Sequence, residues 1–371
     1  MLQPRTWIMV SDKRGDNGQV ETLADALPWP CERKFLQMKP RYVHGKPRFS
    51  PSLHHLDQSR SDTLHAPWPD LILTVGRRPS MAALWVKQQS GGRSKVVLVG
   101  KPTARMMDFD LIVCSAEKHM PPMPNCQPIT LPLMRVSDQE VAAQAGSWKQ
   151  RWADLPRPLV AFFVGGGTSP YVMNRRVAQG LLKLGKQVTD ELGGTAYFTT
   201  SRRTPQVVVE TLREGLTPGS GFYQWSEQGE DNPYRALLGL ADGFVVTGDS
   251  ISMLVEVVYL RRPLAIFPLP YGILGRLDQR RRSFARWLFR PRLVSTSDRL
   301  RHWLARLVFR LDVFTLLSST RDFRAFHQLL VERKLAVWSG QALSHPSGSL
   351  PDDVPRAIMR IQALFEEQLV H

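Results

Sequence analysis

The stretch GFVVTGDSISMLVEVVYLRRPLAIF, Gly243–Phe267, holds the fold in miniature. It opens on an unbroken apolar run, Gly243–Thr247, and turns through small polar residues. A run of helical length follows, Ser250–Leu260, and a second apolar run closes it at Pro263–Phe267. Apolar strands that do not alternate are covered on both faces, as in parallel sheets. Strand, helix and strand in succession make a βαβ unit. The pattern recurs. Strands are expected at Trp7–Val10, Asp70–Val75, Lys95–Val99, Asp110–Cys114, Pro158–Val164, Gly194–Thr200 and Gly221–Trp225. Helices are expected at Gln19–Ala26, Ser80–Gln89, Tyr171–Leu192, Gln206–Glu214 and Tyr234–Leu240. The fold class is therefore α/β with doubly wound sheets.

A chain of 371 residues fits two domains of moderate size, and 43% hydrophobic with 22% charged residues is an ordinary globular balance. The polar stretch 135–158 has no strand candidate and ends in Pro156 and Pro158, which places a boundary near Pro156. The expected domains are 1–156 and 157–345, the second with a basic insertion at about 272–320, followed by a terminal helix in 346–371. In that helix Val354, Ile358, Ile361, Phe365 and Leu369 share one face. Three cysteines, Cys31, Cys114 and Cys126, without a Cys-x-x-Cys pair, exclude a disulfide framework and a structural zinc site and suit a reducing compartment. The apolar run at Trp7–Val10 is too short for a signal-peptide core, and no stretch has transmembrane length, so a cytoplasmic protein is expected.

In open α/β sheets ligands bind beyond the carboxyl ends of the strands. Those ends read Ser11–Gln19, Gly76–Ser80, Gly165–Ser169, Ser201–Pro205 and Thr247–Ser252. Gly165, Gly166, Gly167 and Thr168 would open a helix and cradle a phosphate with free backbone N–H groups. Ser201, Arg202 and Arg203 follow another strand, and the two guanidinium groups can add charge-assisted bonds to a diphosphate. Thr204 and Asn232 read as helix caps, with Pro205 and Pro233 at the first helical positions. Tyr234 is either core or a surface for stacking a base. Gly248, Asp249, Ser250 and Ser252 form a further turn. Asp249, Ser252 and Glu256 fall on one helical face. Glu256 interrupts an apolar run, and a buried carboxylate needs a partner. A ribose diol is one such partner, and a solvent-facing glutamate is the alternative. Gly-x-Gly-x-x-Gly and the P-loop pattern are missing, which disfavours a simple dehydrogenase and a P-loop NTPase. No histidine has metal-ligand spacing and no Asp-x-Asp follows a strand, so no metal is expected.

The pieces SDKRGDNGQ, WPDLILTVGRR, VGGGTSPY, TSRRTP, DNPY, ADGFVVTGDSISMLVEV and RPLAIF run in order from residue 11 to about 267. Together the sequence resembles the "elongated mitochondria" family of mitochondrial-fission proteins and its bacterial relatives. That resemblance implies a GT-B-like fold, with two Rossmann-like domains facing across a cleft and a nucleotide-sugar on the second. It implies that Glu256 takes the ribose, that the glycine loop and the Gly248–Ser252 turn hold the diphosphate, and that Asp12, Gly15, Asp16, Asn17, Gln19 and Arg77 face the acceptor. Two departures are visible: Met120 follows His119 where the family often has Asp, and Asp16 interrupts a Gly-to-Asn step.

The net charge is +16, and Arg276–Arg310 holds eleven Arg against two Asp. Leu300, Trp303, Leu304, Leu307 and Val308 share a helical stripe there. Arg-rich amphipathic helices suit an anionic membrane interface, with Arg281, Arg282, Trp287, Trp303 and Arg306 as the expected contacts. No nucleic-acid motif accompanies the charge, so no nucleic acid is expected. The leading expectation is a metal-independent glycosyltransferase without a cofactor, using a nucleotide-diphosphate sugar to modify a lipid-linked or envelope saccharide at the inner membrane. Asp16 or Asp12 would be its general base. A GT-B-type sugar-nucleotide epimerase and a non-catalytic fission-type adaptor are the alternatives.

Overall fold

The computed structural model describes residues 3–12, 14–43, 50–102, 104–118, 120, 123–134, 136–227, 229, 231–288, 303, 304, 307 and 322–366, with side chains for all of these except 14–16, 43, 273, 274, 276, 278, 279, 282, 285 and 286. They fall into two compact units. One comprises Met1–Arg135, Arg282–Asp322 and Pro351–His371, the other Val136–Arg281 and Phe323–Leu350.

The first unit is built on a six-stranded parallel sheet. Its strands are β1 (Thr6–Ser11), β2 (Cys31–Leu36), β3 (Leu71–Val75), β4 (Lys95–Val99), β5 (Leu111–Ser115) and β6 (Cys126–Ile129), in spatial order β2-β1-β3-β4-β5-β6. The order reverses between β1 and β3, so the switch point lies there. Helices α1 (Arg14–Ala26), α2 (Pro40–Val43) and α3 (Arg77–Gln89) connect the early strands. Two apolar clusters cover the two faces. One gathers Trp7, Met9, Ile72 and Ile112 with α3; the other gathers Ile8, Val10, Leu73 and Val113 with Val20 and Leu23 of α1.

The second unit starts with α4 (Asp138–Lys149), whose cap Ser137 accepts from the Glu140 N–H. Its strands are β7 (Leu159–Val164), β8 (Thr195–Thr200), β9 (Gly221–Tyr223), β10 (Gly243–Thr247), β11 (Leu264–Phe267) and β12 (Val337–Trp338). Their spatial order is β12-β11-β10-β7-β8-β9, again all parallel. This is the dinucleotide-fold order, with its switch point between β7 and β10. Helices α5 (Arg175–Lys186), α6 (Gln206–Glu214), α7 (Tyr234–Leu240), α8 (Ile251–Tyr259) and α10 (Phe323–Glu332) complete it, while α9 (Ile273–Leu288) begins in this unit and from Arg282 onward is assigned to the first.

Every interior strand lies within two residues of its expected position. The unexpected ones, β2, β6 and β12, are edges. CERKFL on β2 is mostly exposed, and an edge strand needs no continuous apolar run. Two helix starts and two caps are corrected. The helix expected at Tyr171–Leu192 starts at Arg175, capped by Asn174, and ends in a widened turn at Gln187–Glu191. Helices α6 and α7 span the expected Gln206–Glu214 and Tyr234–Leu240, but Pro205 and Pro233 stand at the cap positions rather than the first helical ones, so Thr204 caps nothing. Helix α1 starts at Arg14, so the expected ligand loop Ser11–Gln19 is mostly helix.

The domain boundaries also differ. The chain enters the second unit at Val136 rather than near Pro156, because α4 packs on α7. The terminal helix, α11 (Asp353–Glu366), is part of the first unit. Its Ala357, Ile358 and Ile361 are buried beside Val20 and Leu23. Asp353, 4% exposed, pins its start: the carboxylate accepts from the Thr130 N–H at 2.6 Å and pairs with Arg356. Leu369 lies outside the described residues. A helix built into the core is sensitive to truncation of its side chains. Ile361→Ala is expected to lower the unfolding free energy by about 2–4 kcal/mol in a denaturant titration; a change near zero would show that the helix is an appendage.

Candidate functional site

The second unit carries two neighbouring cavities. The larger, about 670 Å³, is bordered by Trp148, Arg151, Asp231 and Arg235. Its cations are already paired, Arg151 with Asp231 at 3.2 Å and Arg235 with Glu140 at 2.5 Å. The smaller, about 350 Å³, lies at the carboxyl end of β8. It is walled by Thr199–Arg203, Trp225, Asn232, Tyr234 and the first turns of α8 with Ser250, Ser252, Met253 and Glu256. Ser201, Arg202, Arg203, Asn232, Tyr234, Ser250, Ser252 and Glu256 were all expected on one site, and the structure brings them together.

Glu256 has the partner that its burial demands. The Tyr234 hydroxyl donates to Oε2 at 2.7 Å. Burial pushes the Glu256 carboxyl above its ordinary range, against the opposing pull of the Tyr234 hydrogen bond and the Arg235 charge. Burial, followed by the nearby carboxylate, raises the Tyr234 phenol. The Tyr234 ring packs 4.6 Å from Phe163, which gives it the core role rather than base stacking. The aromatic side chain lining the cavity beside it is that of Trp225, a half-buried residue whose backbone N–H donates to Thr200 Oγ1 at 3.0 Å. It went unread in the sequence because the QW step ends an edge strand with no motif around it. Asn232 Oδ1 accepts from the Tyr234 N–H, as a capping residue does.

The glycine loop does not form the expected phosphate cradle. It does not open a helix, and three of its amides are taken by the chain itself. Gly165 N–H donates to Thr247 Oγ1 at 2.8 Å, Gly166 N–H to Asp249 Oδ2 at 2.9 Å, and Thr168 N–H to the same oxygen at 3.4 Å. A carboxylate of the chain itself takes the place assigned to a phosphate. Asp249 precedes α8 and so does not share a helical face with Ser252 and Glu256. The glycines are needed for close approach. A Cβ on Gly165 would stand 2.4 Å from Asp249 Oδ1, and one on Gly166 2.1 Å from Arg203 Cβ. Gly167 has φ +65, which a side chain rarely adopts. Thr204 ties the neighbouring loop, accepting from Ser201 N–H and donating to the Gly165 carbonyl. Arg203 donates to Thr168 Oγ1 at 2.7 Å. Arg202 is exposed at the cavity and pairs with no other described residue.

Helix α8 starts without a side-chain cap, and Ser252 and Met253 of its first turn line the cavity. Such a start presents N–H groups and the positive dipole end to an anion. The turn before it is braced from behind by His327, 2% exposed on α10, whose Nε2 lies 2.7 Å from the Gly248 carbonyl. No local pattern points to this histidine, since the contact joins residues far apart in the chain.

In the first unit, Asn17 is buried and exchanges two bonds with the Ser11 backbone, at 2.7 and 3.1 Å. It ties α1 to β1 and is not offered to a ligand, which corrects its acceptor-side assignment. Gly15, Gln19 and Asp16 belong to α1; the Asp16 side chain lies outside the described residues. Asp12 is exposed at the end of β1. Arg77 and Arg78 begin α3 on the other side of the switch point, after Gly76 at φ +80. Burial lowers both guanidinium groups, with the Asp12 charge acting on Arg78 in the opposite sense. His55, expected in a polar loop, is fully buried. Its Nε2 lies 2.9 Å from the Arg78 carbonyl, and burial brings its pKa down to about 4.

Helix α9 exposes Leu277, Phe284 and Trp287, with Arg280 exposed and Arg281 half-buried beside them. Trp303 and Leu307 are helical and exposed as well. The Arg282 side chain and Arg306 lie outside the described residues. Among the described residues no helix is long and apolar enough to cross a membrane, and no cluster of metal-ligating side chains occurs.

Two parallel sheets, each with flanking helices and its own switch point, define a Rossmann-like α/β protein of two units. Within that class, the profile of the family described as "Mitochondrial fission ELM1" matches residues 14–301, and the chain belongs to this family. Mitochondrial fission protein ELM1 of Arabidopsis thaliana is 25% identical over 226 residues, 53% of this chain. This chain spans about half of the plant protein's length, the match covering 51% of it. The protein RP120 of Rickettsia prowazekii (strain Madrid E) is 23% identical over 301 residues, 71% of this chain and 83% of the relative. Among solved structures, a glycosyltransferase from Rickettsia africae aligns over 98% of this chain and 100% of its own at TM-score 0.45 and 9% identity. The UDP-GlcNAc 2-epimerase from Methanocaldococcus jannaschii aligns over 97% and 99% at TM-score 0.47 and 11% identity.

A carboxyl whose folded-state pKa is raised adds stability that is complete below the ordinary carboxylate range and is lost as pH rises through the raised value. Glu256→Gln keeps the shape and an acceptor for Tyr234 but cannot ionise. The Tm of this variant, relative to the unsubstituted protein, is expected to improve steadily from about pH 4 towards neutrality. A difference that stays flat over that range would mean that Glu256 is not a desolvated acid.

Proposed function

We propose that the protein is a GT-B-type glycosyltransferase that binds a nucleotide-diphosphate sugar on its second unit. The product is a glycosylated lipid-linked or cell-envelope saccharide made at the cytoplasmic face of a membrane. One observation carries the reading. A desolvated carboxyl, Glu256, lines a cavity that also holds the Arg202 guanidinium, without a partner among the described residues, and an uncapped helix start at Ser250–Ser252. A ribose diol supplies hydroxyl donors to the first, and a diphosphate supplies anionic oxygens to the other two. Trp225 gives the base an aromatic face.

The reaction proposed is the transfer of a glycosyl group. An acceptor hydroxyl attacks the anomeric carbon and the bond from that carbon to the diphosphate breaks. The hydroxyl proton passes to a carboxylate, for which Asp12 or Asp16 of the first unit is the candidate. The departing diphosphate carries the negative charge, and Arg202 with the α8 N-terminus stabilises it as it develops. No cofactor or metal is required by this scheme.

The membrane side of the proposal draws on α9 and the segment after it. Half of the large apolar side chains exposed among the described residues lie there, within the segment that carries eleven arginines. Apolar wedges flanked by cations suit the interface of an anionic bilayer. The protein is expected to float with vesicles containing an anionic phospholipid and not with purely zwitterionic ones. Trp287→Ser together with Trp303→Ser is expected to reduce the bound fraction several-fold; binding unchanged in that variant would remove the membrane from the proposal.

The nucleotide reading is tested by thermal shift with UDP, GDP, ADP, CMP and dTDP. A ligand that binds only the folded state raises the Tm. One nucleoside diphosphate is expected to stabilise the protein, with affinity about tenfold weaker or worse in Glu256→Ala and in Arg202→Ala. No stabilisation by any of them at millimolar concentration would count against transferase and epimerase alike and favour an adaptor.

A further inference from the structure

The cavity wall formed by β8 contains an unsatisfied group. Thr199 is 2% exposed, lines the cavity, and its Oγ1 is buried with no hydrogen-bond partner. The other threonine hydroxyls of the strand are engaged. Thr195 donates to the Pro156 carbonyl at 2.9 Å, and Thr200 accepts from the Trp225 N–H at 3.0 Å. Buried hydroxyl groups are rarely left alone, because a hydroxyl that finds a partner in water loses it on burial. An orphan that borders a cavity is a group waiting for a ligand atom.

A second orphan stands beside it. Tyr223 on β9 is the register neighbour of Thr199, and its hydroxyl is also buried without a partner. Residues paired in register on parallel strands point to the same face of the sheet. Trp225, two residues further along the chain, lines the same cavity. Thr199 and Trp225 thus line the cavity along β8 and β9, and the second unsatisfied hydroxyl, Tyr223, stands next to Thr199 on the same face of the sheet without itself lining the cavity. Arg202, Ser250 and Ser252 occupy the turns where charge would sit.

We propose that Thr199 Oγ1 and Tyr223 Oη read the polar edge of the nucleobase, and so select which nucleotide the protein accepts. The inference rests on the nucleoside-diphosphate reading of this cavity and assigns the base within it. A hydroxyl can accept from a ring N–H and donate to a ring carbonyl or nitrogen, so a pair of them matches a base edge that carries a donor beside an acceptor. A stacking surface alone tolerates every base, whereas hydrogen bonds from buried groups reject the base that leaves them unpaired. Selectivity among bases therefore falls to the two hydroxyls and general affinity to Trp225, Glu256 and Arg202.

The experiment measures dissociation constants by calorimetry for UDP, GDP, ADP and dTDP, and for ribose 5-phosphate as a ligand without a base. The unsubstituted protein, Thr199→Val and Tyr223→Phe are compared. Both substitutions keep size and shape and remove only the hydroxyl, and the ligand-free Tm of each is expected to hold or rise, since an orphan is removed. For the preferred nucleotide, Thr199→Val is expected to weaken binding about tenfold, and Tyr223→Phe in the same direction. The preference over the next-best base should shrink, and ribose 5-phosphate should bind all three proteins alike. Unchanged affinity and unchanged preference in both variants would overturn the base-reading assignment and leave the nucleotide site standing. An equal loss for ribose 5-phosphate would overturn it too, because the hydroxyls would then serve the cavity as a whole. Failure of the unsubstituted protein to bind any nucleotide would sink the nucleotide reading itself, and this inference with it.

Discussion

The buried Asp249 carboxylate is the bond on which the second unit's working end depends. It receives the Gly166 and Thr168 N–H groups on one oxygen and the Thr247 hydroxyl on the other. Those contacts join the carboxyl ends of β7 and β10, the two strands that flank the switch point. A charged group at 2% exposure is tolerable only with such a set of donors. With the loop drawn onto Asp249, Gly165 and Gly166 must lack side chains, Arg203 can reach Thr168, and α8 starts where its first turn faces the cavity. His327 closes the arrangement from behind at Gly248. What looked in the sequence like a device for holding a ligand is largely a device for holding the chain.

The cavity itself divides into regions of different chemistry. At one end a desolvated acid is kept in place by a tyrosine that is itself packed on Phe163. At the turns the Arg202 guanidinium, without a partner among the described residues, stands by an uncapped helix start. Along β8 and β9 hydroxyls are buried without partners. The desolvated acid and the buried orphan hydroxyls are unfavourable as they stand, and the proposed nucleotide would offer each of them a partner. Sites that store such mismatches are where function is expected.

Much of this was legible in the sequence, for identifiable reasons. Interior strands such as LVAFFV at Leu159–Val164 are buried on both faces and announce themselves as apolar runs. Edge strands have one free side, and CERKFL on β2 or the two-residue β12 carries no such signature. Glu256 was conspicuous because a charge in an apolar helix requires an explanation, and its neighbours Ser252 and Tyr234 followed from periodicity and the helix start. Thr199, Trp225 and His327 were not legible. Their roles depend on contacts between β8, β9, α8 and α10, which no local pattern encodes. The glycine loop was misread for a related reason: glycine runs report that backbone approaches something closely, and only the structure says that the something is Asp249 and Arg203 rather than a phosphate. The domain boundary moved because α4, polar and strandless, looks like a linker until its packing on α7 is seen.

The return of α11 to the first unit has a consequence for how the molecule is made. The first unit begins with β1 but relies on Ala357, Ile358 and Ile361 to cover Val20 and Leu23. A chain emerging from the ribosome folds its domains as they become complete. Here the second unit has all of its segments once Leu350 is out, while the first, started earlier, still lacks one side of its core. The order of completion is therefore the reverse of the order of synthesis. Throughout translation of the intervening residues an apolar groove on the nascent first unit stays uncovered, a ready substrate for a chaperone and a ready seed for aggregation.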